Sequence, residues 1–144
     1  IGNTRKKRST RNIVQGVKAL KDRNPEIVDP IIYTMAGLSQ VGLNALLRRD
    51  IPKLGDLMNL NHGLLASIGV STIELDELVY ASRREGALGA KLTGAGGGGC
   101  MVALAEQENL SNVEKGIRAA RGHSMRVNLT DEGVKTRKIK DGDP

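Results

Sequence analysis

Residues able to do chemistry are concentrated in one stretch, Lys91-Leu92-Thr93-Gly94-Ala95-Gly96-Gly97-Gly98-Gly99-Cys100, where five of ten positions are glycine. Backbone without β-carbons turns sharply, adopts positive φ and lets a ligand approach its N–H dipoles, the donors a phosphate seeks. Each glycine also costs conformational entropy on folding. Such a loop is therefore expected to face a phosphate or a substrate, the alternative being a plain hairpin connection. It is not a P-loop: Gly99 is followed by Cys100 and Met101 rather than by the lysine and hydroxyl that motif requires. Residues 94–99 do spell Gly-x-Gly-x-x-Gly, but a dinucleotide site needs a helix next and an acidic residue about 20 positions on. Cys100-Met101-Val102-Ala103-Leu104-Ala105 reads better as a strand, although pattern alone leaves a helix over 100–108 open, and Glu114 falls inside a capping sequence.

The elements that must position this loop follow from periodicity and caps. Residues 87–92 and 101–104 give strand, loop, strand. Upstream, Ser9 or Thr10 caps a helix to about Arg23, apolar at Ile13, Val14, Val17 and Leu20. A second helix starts at Asn24-Pro25 or at Asp29-Pro30 and runs to about Arg49. Its apolar positions Ile31, Ile32, Met35, Leu38, Val41, Leu46 and Leu47 predict a largely buried element. A third, over about 53–68, carries the stripe Leu54, Leu57, Met58, Leu64, Leu65 and Ile68, with Asn61 at its centre. A buried amide costs roughly 1–3 kcal/mol unless paired, so Asn61 is expected to bond neighbouring backbone, at the glycine loop or its flanks. His62, at the stripe's edge, reads as a surface or packing residue.

Gly69 ends that helix, and Ser71-Thr72-Ile73-Glu74 reads as a capping box for a fourth, running to Gly86. Ser111-Asn112-Val113-Glu114 is a second capping box, for a helix to about Arg121. Residues 125–129 alternate as a half-buried strand, 134–139 form a weaker one, and 141–144 are tail. Cys100 reads as a packed strand residue, since no histidine is placed to activate it.

Composition narrows the classes. The 144 residues make one domain with an aliphatic core, having no Phe or Trp and two Tyr. No uninterrupted apolar run approaches the ~20 residues that span a bilayer. The single cysteine excludes an internal disulfide and fits a reducing cytoplasm. Net charge is +6, but residues 1–23 hold eight of the 22 Lys/Arg and one of the 16 Asp/Glu, so basicity belongs to one end. That end is a site for an acidic small molecule or a nucleic-acid arm. The scarcity of aromatic platforms argues against the second, which would run through residues 5–11.

The stretch 91–100 resembles the third conserved motif of the GHMP kinases, the superfamily of galactokinase, homoserine, mevalonate and phosphomevalonate kinases, in the form found in mevalonate kinases. Asn3-Thr4 followed by Arg8-Ser9-Thr10 is similar to the Asn-Thr-x-x-x-Arg-x-Thr segment of those enzymes. Residues 61–70, ending in Ile68-Gly69-Val70, resemble their helix ending in Leu-Gly-Val. The likeness runs from about Asn3 to Ile139. It implies an α+β fold over residues 1–144: the ferredoxin-like carboxy-terminal domain of a GHMP kinase, an antiparallel sheet packed with helices, its first strand just before Asn3.

It also implies cytoplasmic, Mg²⁺-dependent transfer of the ATP γ-phosphate to the 5-hydroxyl of mevalonate, in isoprenoid biosynthesis. Thr93, Gly94, Ala95, Gly96, Gly97, Gly98 and Gly99 would face phosphate and substrate. Arg8 would orient the mevalonate carboxylate, with Thr10 hydrogen-bonding nearby; the competing reading is a solvated basic face with a capping threonine. A β-branched residue at Ala95 or Gly96 is expected to cost activity more than folding.

In the family the catalytic base, the magnesium ligands and the main ATP loop belong to an amino-terminal half whose motifs do not occur in this sequence. The chain, which starts at Ile1, thus reads as a fragment, inactive alone, with no catalytic or metal-binding residue of its own. Its expected partners are that amino-terminal domain, ATP and mevalonate, with a homodimer also allowed, and neither nucleic acid nor membrane. The alternatives are another GHMP kinase, acting on phosphomevalonate or homoserine, or a non-enzymatic ferredoxin-like binding module.

Overall fold

A computed structural model of the chain describes residues 1–128, 130 and 132–136. In chain order it contains β1 (Gly2–Asn3), α1 (Thr10–Arg23), α2 (Pro25–Leu47), α3 (Ile51–Ser67), α4 (Ile73–Arg84), β2 (Ala87–Leu92), β3 (Cys100–Ala105), α5 (Leu110–Ala119) and β4 (His123–Ser124). Helix starts obey local chemistry. Ser9 Oγ accepts from the Asn12 amide at 3.4 Å and Asp50 Oδ1 from the Lys53 amide at 3.1 Å, each satisfying a donor the helix leaves orphaned. The cap of α4 is Thr72, accepting from Leu75 N at 3.4 Å, rather than Ser71. The second capping box is not used: α5 starts two residues earlier, behind Asn109, with no side-chain cap bond. Pro25 opens α2, which continues through Pro30.

All strand pairs are antiparallel, in the order β2-β3-β1-β4. The connection from β1 to β2 runs through α1–α4 and that from β3 to β4 through α5, which is the split β-α-β pattern of a ferredoxin-like domain. β4 lies two residues before the expected 125–129 strand, because it pairs Ser124 and His123 with Gly2 and Asn3 of β1. The pairing extends only to Met125, which exchanges two backbone hydrogen bonds of 2.8 Å with Ile1. Residues 134–136 are not strand; Leu129 and the rest of the last expected strand and tail, 137–144, lie outside the described residues. The core is aliphatic: Leu75, Leu78 and Val79 of α4 meet Leu92, Met101, Val113 and Ile117.

β2 is an edge strand, and α3 lies against its open side. Its approach is so close that a β-carbon on Gly89 would overlap the Gly55 backbone, and one on Gly55 would overlap that of Leu88. From this distance α3 reaches the strand's outward polar groups. Asn59 donates to the Leu88 carbonyl at 3.0 Å and accepts from the Ala90 amide at 3.0 Å. The bridging amide is therefore Asn59, not Asn61. Asn61 is half-buried, lines the groove between α2 and α3, and makes no hydrogen bond among the described residues.

The expectation that α2 is largely buried is also corrected. Only Val28 and Ala45 are buried, while Tyr33 is 82% and Leu47 74% exposed. α2 packs on α1 and α3 through one side, leaving an apolar groove of about 370 Å³ beside Leu38, Leu43 and Leu46. Residues 30–47 carry no charge, and by length and composition α2 is apolar enough to cross a membrane, although Thr34, Ser39, Gln40 and Asn44 interrupt its apolar run as the sequence shows.

The two amides make opposite predictions. Asn59→Ala leaves a carbonyl and an N–H unpaired and should lower urea-measured stability by about 1–3 kcal/mol. Asn61→Ala should stay within about 0.5 kcal/mol of wild type; equal losses would refute the assignment.

Candidate functional site

The glycine run folds as a tight excursion between β2 and β3. All five glycines, Gly94, Gly96, Gly97, Gly98 and Gly99, have positive φ, from 70° to 116°, while Ala95 does not. Three of them also face close contacts, with backbone at Gly96 and with side-chain ends at Gly97 (Ile13) and Gly99. A β-carbon on Gly96 would coincide with the Val70 carbonyl oxygen, and one on Gly99 with the Arg8 guanidinium. The expectation for Gly96 therefore changes: substitution there strikes the fold itself, whereas Ala95 already carries a β-carbon.

The loop is held from two sides. On one, the Gly97 amide donates to the Val70 carbonyl at 2.8 Å, tying the tip to the turn between α3 and α4. On the other lies the segment joining β1 to α1. Thr4 N donates to the Gly99 carbonyl at 2.8 Å, and Thr4 Oγ1 accepts from the Gly99 amide at 2.9 Å. Arg8 Nη1 donates to the Gly98 carbonyl at 2.8 Å. The segment is itself shaped by short polar side chains: Arg5 N donates to Asn3 Oδ1 and Lys6 N to Thr4 Oγ1. Ile13 of α1 packs close to Gly97, which sets the start of α1 beside the loop.

This arrangement divides the loop's donors. The amides of Thr93, Gly97 and Gly99 are taken by Cys100 O, Val70 O and Thr4 Oγ1. Those of Gly94, Ala95, Gly96 and Gly98 have no acceptor among the described residues. Around them the potential is positive, from Arg8, the positive end of α1, and a first turn of α1 without acidic residues. Lys6 is engaged by Glu74 at 3.1 Å and Arg5 lies 3.0 Å from His123 Nδ1, leaving Arg8 as the basic side chain directed at the loop. Of the residues singled out from sequence, Arg8 and 93–99 are thus brought together. Thr10 is exposed at the start of α1, and its hydroxyl makes no hydrogen bond among the described residues. Among the described residues no cluster of His, Cys, Asp and Glu could hold a metal ion.

His62 is not a surface residue. It is 3% exposed, and its Nδ1 accepts from the Leu92 amide at 3.3 Å, at the root of the loop. The proton accordingly sits on Nε2, which donates to Asp76 Oδ1 at 3.1 Å. Burial lowers the imidazole pKa, opposed by the Asp76 carboxylate and reinforced by Arg83 and Lys91, so the ring is neutral in the fold. Burial likewise lowers Lys91, whose ammonium donates to the Leu92 carbonyl at 3.0 Å.

The family model for the C-terminal region of GHMP kinases, "GHMP kinases C terminal", matches residues 43–123. The mevalonate kinase of Thermococcus onnurineus is 42% identical over 144 residues, covering 96% of this chain and 43% of that protein. A mevalonate kinase of Pyrococcus abyssi is 40% identical, covering 98% of this chain and 43% of its own length. Among solved structures, L. major mevalonate kinase in complex with R-mevalonate superimposes with TM-score 0.78 at 36% identity, covering 82% of this chain and 36% of that one. The chain thus spans less than half the length of these relatives.

The His62 geometry predicts an acid-sensitive fold. The folded state binds this proton less readily than the unfolded chain, whose histidine titrates near ~6.5. The stabilisation is complete above that pH and is lost as pH falls from there through the lowered folded value. Urea midpoints taken from about pH 7.5 down to about pH 5 should drop more steeply for wild type than for His62→Asn, which cannot titrate. Parallel curves would show that His62 carries no such linkage.

Proposed function

Because the chain belongs to the GHMP kinase family, as its C-terminal domain, we propose that it forms the carboxy-terminal part of a cytoplasmic mevalonate kinase, which phosphorylates mevalonate at its 5-hydroxyl using ATP. The observation that carries this reading is the division of the glycine loop: three amides are tied to protein, and of the four without an acceptor those of Gly94 and Ala95 lie on its accessible side, while Gly96 and Gly98 are buried. Free N–H groups on a backbone that cannot move suit the charge on a transferring phosphoryl group, since they need no reorganisation as that charge develops. Arg8 serves two ends. One N–H holds the Gly98 carbonyl and the others remain for the carboxylate of mevalonate; Thr10, on the first turn of α1, is assigned a hydrogen bond to the same substrate.

Phosphate fits this donor set; a magnesium ion does not, because the loop offers N–H groups and a guanidinium rather than oxygen ligands. ATP-bound magnesium, the catalytic base and most nucleotide contacts are assigned to an amino-terminal partner domain. This chain's own residues bind, orient and stabilise charge.

The reading is tested on the intact kinase carrying this domain, by following ADP release with mevalonate, phosphomevalonate, homoserine and galactose. Mevalonate should be the preferred substrate, and this domain alone should give no turnover; preference for another substrate would overturn the assignment. Arg8→Ala should raise the KM for mevalonate about tenfold while leaving that for ATP within about twofold. Ala95→Val should lower kcat at least about tenfold with little loss of stability, by crowding the loop's open side. Gly96→Val should fail to fold stably; a soluble, active Gly96→Val enzyme would contradict the loop geometry.

A further inference from the structure

One oxygen atom lies between the loop's two backbone anchors. Asp76, in the first turns of α4, accepts at Oδ1 from His62 Nε2 at 3.1 Å and from the Ser71 hydroxyl. Each donor stands next to an anchor. His62 holds, through Nδ1, the Leu92 amide at the end of β2, where the loop departs. Ser71 follows Val70, whose carbonyl receives the Gly97 amide at the loop's tip. Although the side chains are those of a hydrolytic triad, the order is wrong for one. The carboxylate stands between Ser71 and His62, and both imidazole nitrogens are engaged inside the protein.

Packing alone does not account for this arrangement. An aliphatic side chain would fill the space of His62 but leave the Leu92 amide, on an edge strand, without its acceptor. Nothing in the capping of α4 requires Asp76 either, since Thr72 supplies the cap. We propose that Asp76 is a positioning residue for the glycine loop, fixing the loop's entry through His62 and its tip through the Ser71–Val70 turn. The role it serves rests on the reading of the loop as the phosphate- and substrate-facing wall. Asp76 touches no substrate; it determines where the free amides of Gly94 and Ala95 point.

Imidazole geometry supplies the test. Asparagine at 62 places its amide oxygen where Nδ1 stands and keeps the Leu92 acceptor. Glutamine reaches the Nε2 position and keeps Asp76 but abandons Leu92. In the intact protein, amide hydrogen exchange should be read over residues 92–100, with α4 and α5 as internal references, for wild type, Asp76→Ala, His62→Gln and His62→Asn. In Asp76→Ala and His62→Gln the loop should exchange about tenfold faster or more while α4 and α5 stay within about threefold of wild type; His62→Asn, which keeps the Leu92 acceptor but loses Asp76, should follow them.

The same two variants should lose about tenfold in kcat, and Asp76→Asn, which retains an acceptor oxygen, should recover most of it. Loop exchange that does not change, acceleration spread evenly over α4 and α5, or wild-type behaviour of His62→Asn, which would show that the Leu92 acceptor suffices without Asp76, would each overturn the proposal. If the wild-type protein phosphorylates none of the alcohols offered, the kinase reading falls, and the exchange pattern still decides the role of Asp76.

Discussion

An edge strand must give its outward N–H and C=O groups to some partner, and β2 gives them to side chains. Asn59 takes Leu88 O and Ala90 N, Arg83 takes Ala90 O at 2.8 Å, His62 takes Leu92 N, and Lys91 takes Leu92 O. Water is displaced from this edge because α3 lies against it, glycine to glycine, at Gly55 and Gly89. A one-residue slip of β2 would unmake several of these bonds together. The strand's register is therefore fixed along both edges, by β3 on one and by α3 and α4 on the other. The glycine loop leaves from the pinned end.

What the fixed strand makes available is a stiff loop built from the most flexible residue. Glycine permits the positive φ values, but freedom alone would yield a floppy turn. Rigidity comes from outside the loop, from the Val70 carbonyl, from both polar groups of Thr4 and from the Arg8 guanidinium. The anchors consume some amides and leave others. That division separates a phosphate cradle from an ordinary hairpin, which would close its own donors across the ladder. The basic segment before α1 fits the same logic. Its net charge is local, and Arg8 is the member turned toward the loop.

Much of this was legible in the residues. Strand, glycine loop and strand were readable because five glycines interrupt two short apolar runs, and the start of α1 to within one residue because Ser9 and Thr10 can both cap it; the start of α2 stayed open between Pro25 and Pro30, since both can begin a helix and α2 contains both. The partners of the β2 edge were not. Hydrophobic periodicity on α3 points to Leu54, Leu57, Met58 and Asn61, which face α2 and its groove. A second face, Gly55, Asn59 and His62 at spacings of four and three, meets backbone rather than side chains and is correspondingly small and polar. An apolar stripe cannot reveal such a face, so the hydrogen-bonding role fell to the wrong asparagine, and His62 was left between surface and packing, of which burial selects the second. The exposure of α2 escaped for a related reason: composition states how much of a helix is apolar, not how much of it a neighbour covers.

The central claim is that protein holds some amides of the glycine loop while others are offered to a phosphate, and amide NMR of the intact protein with ¹⁵N-glycine labelling reads it directly. Titration with magnesium ADP should shift the exposed Gly94 amide proton downfield, leaving Gly97 and Gly99, already bonded to Val70 and Thr4, nearly unmoved. Saturation of the protein with nucleotide and no movement at Gly94 would contradict the account, reducing the glycine run to a turn.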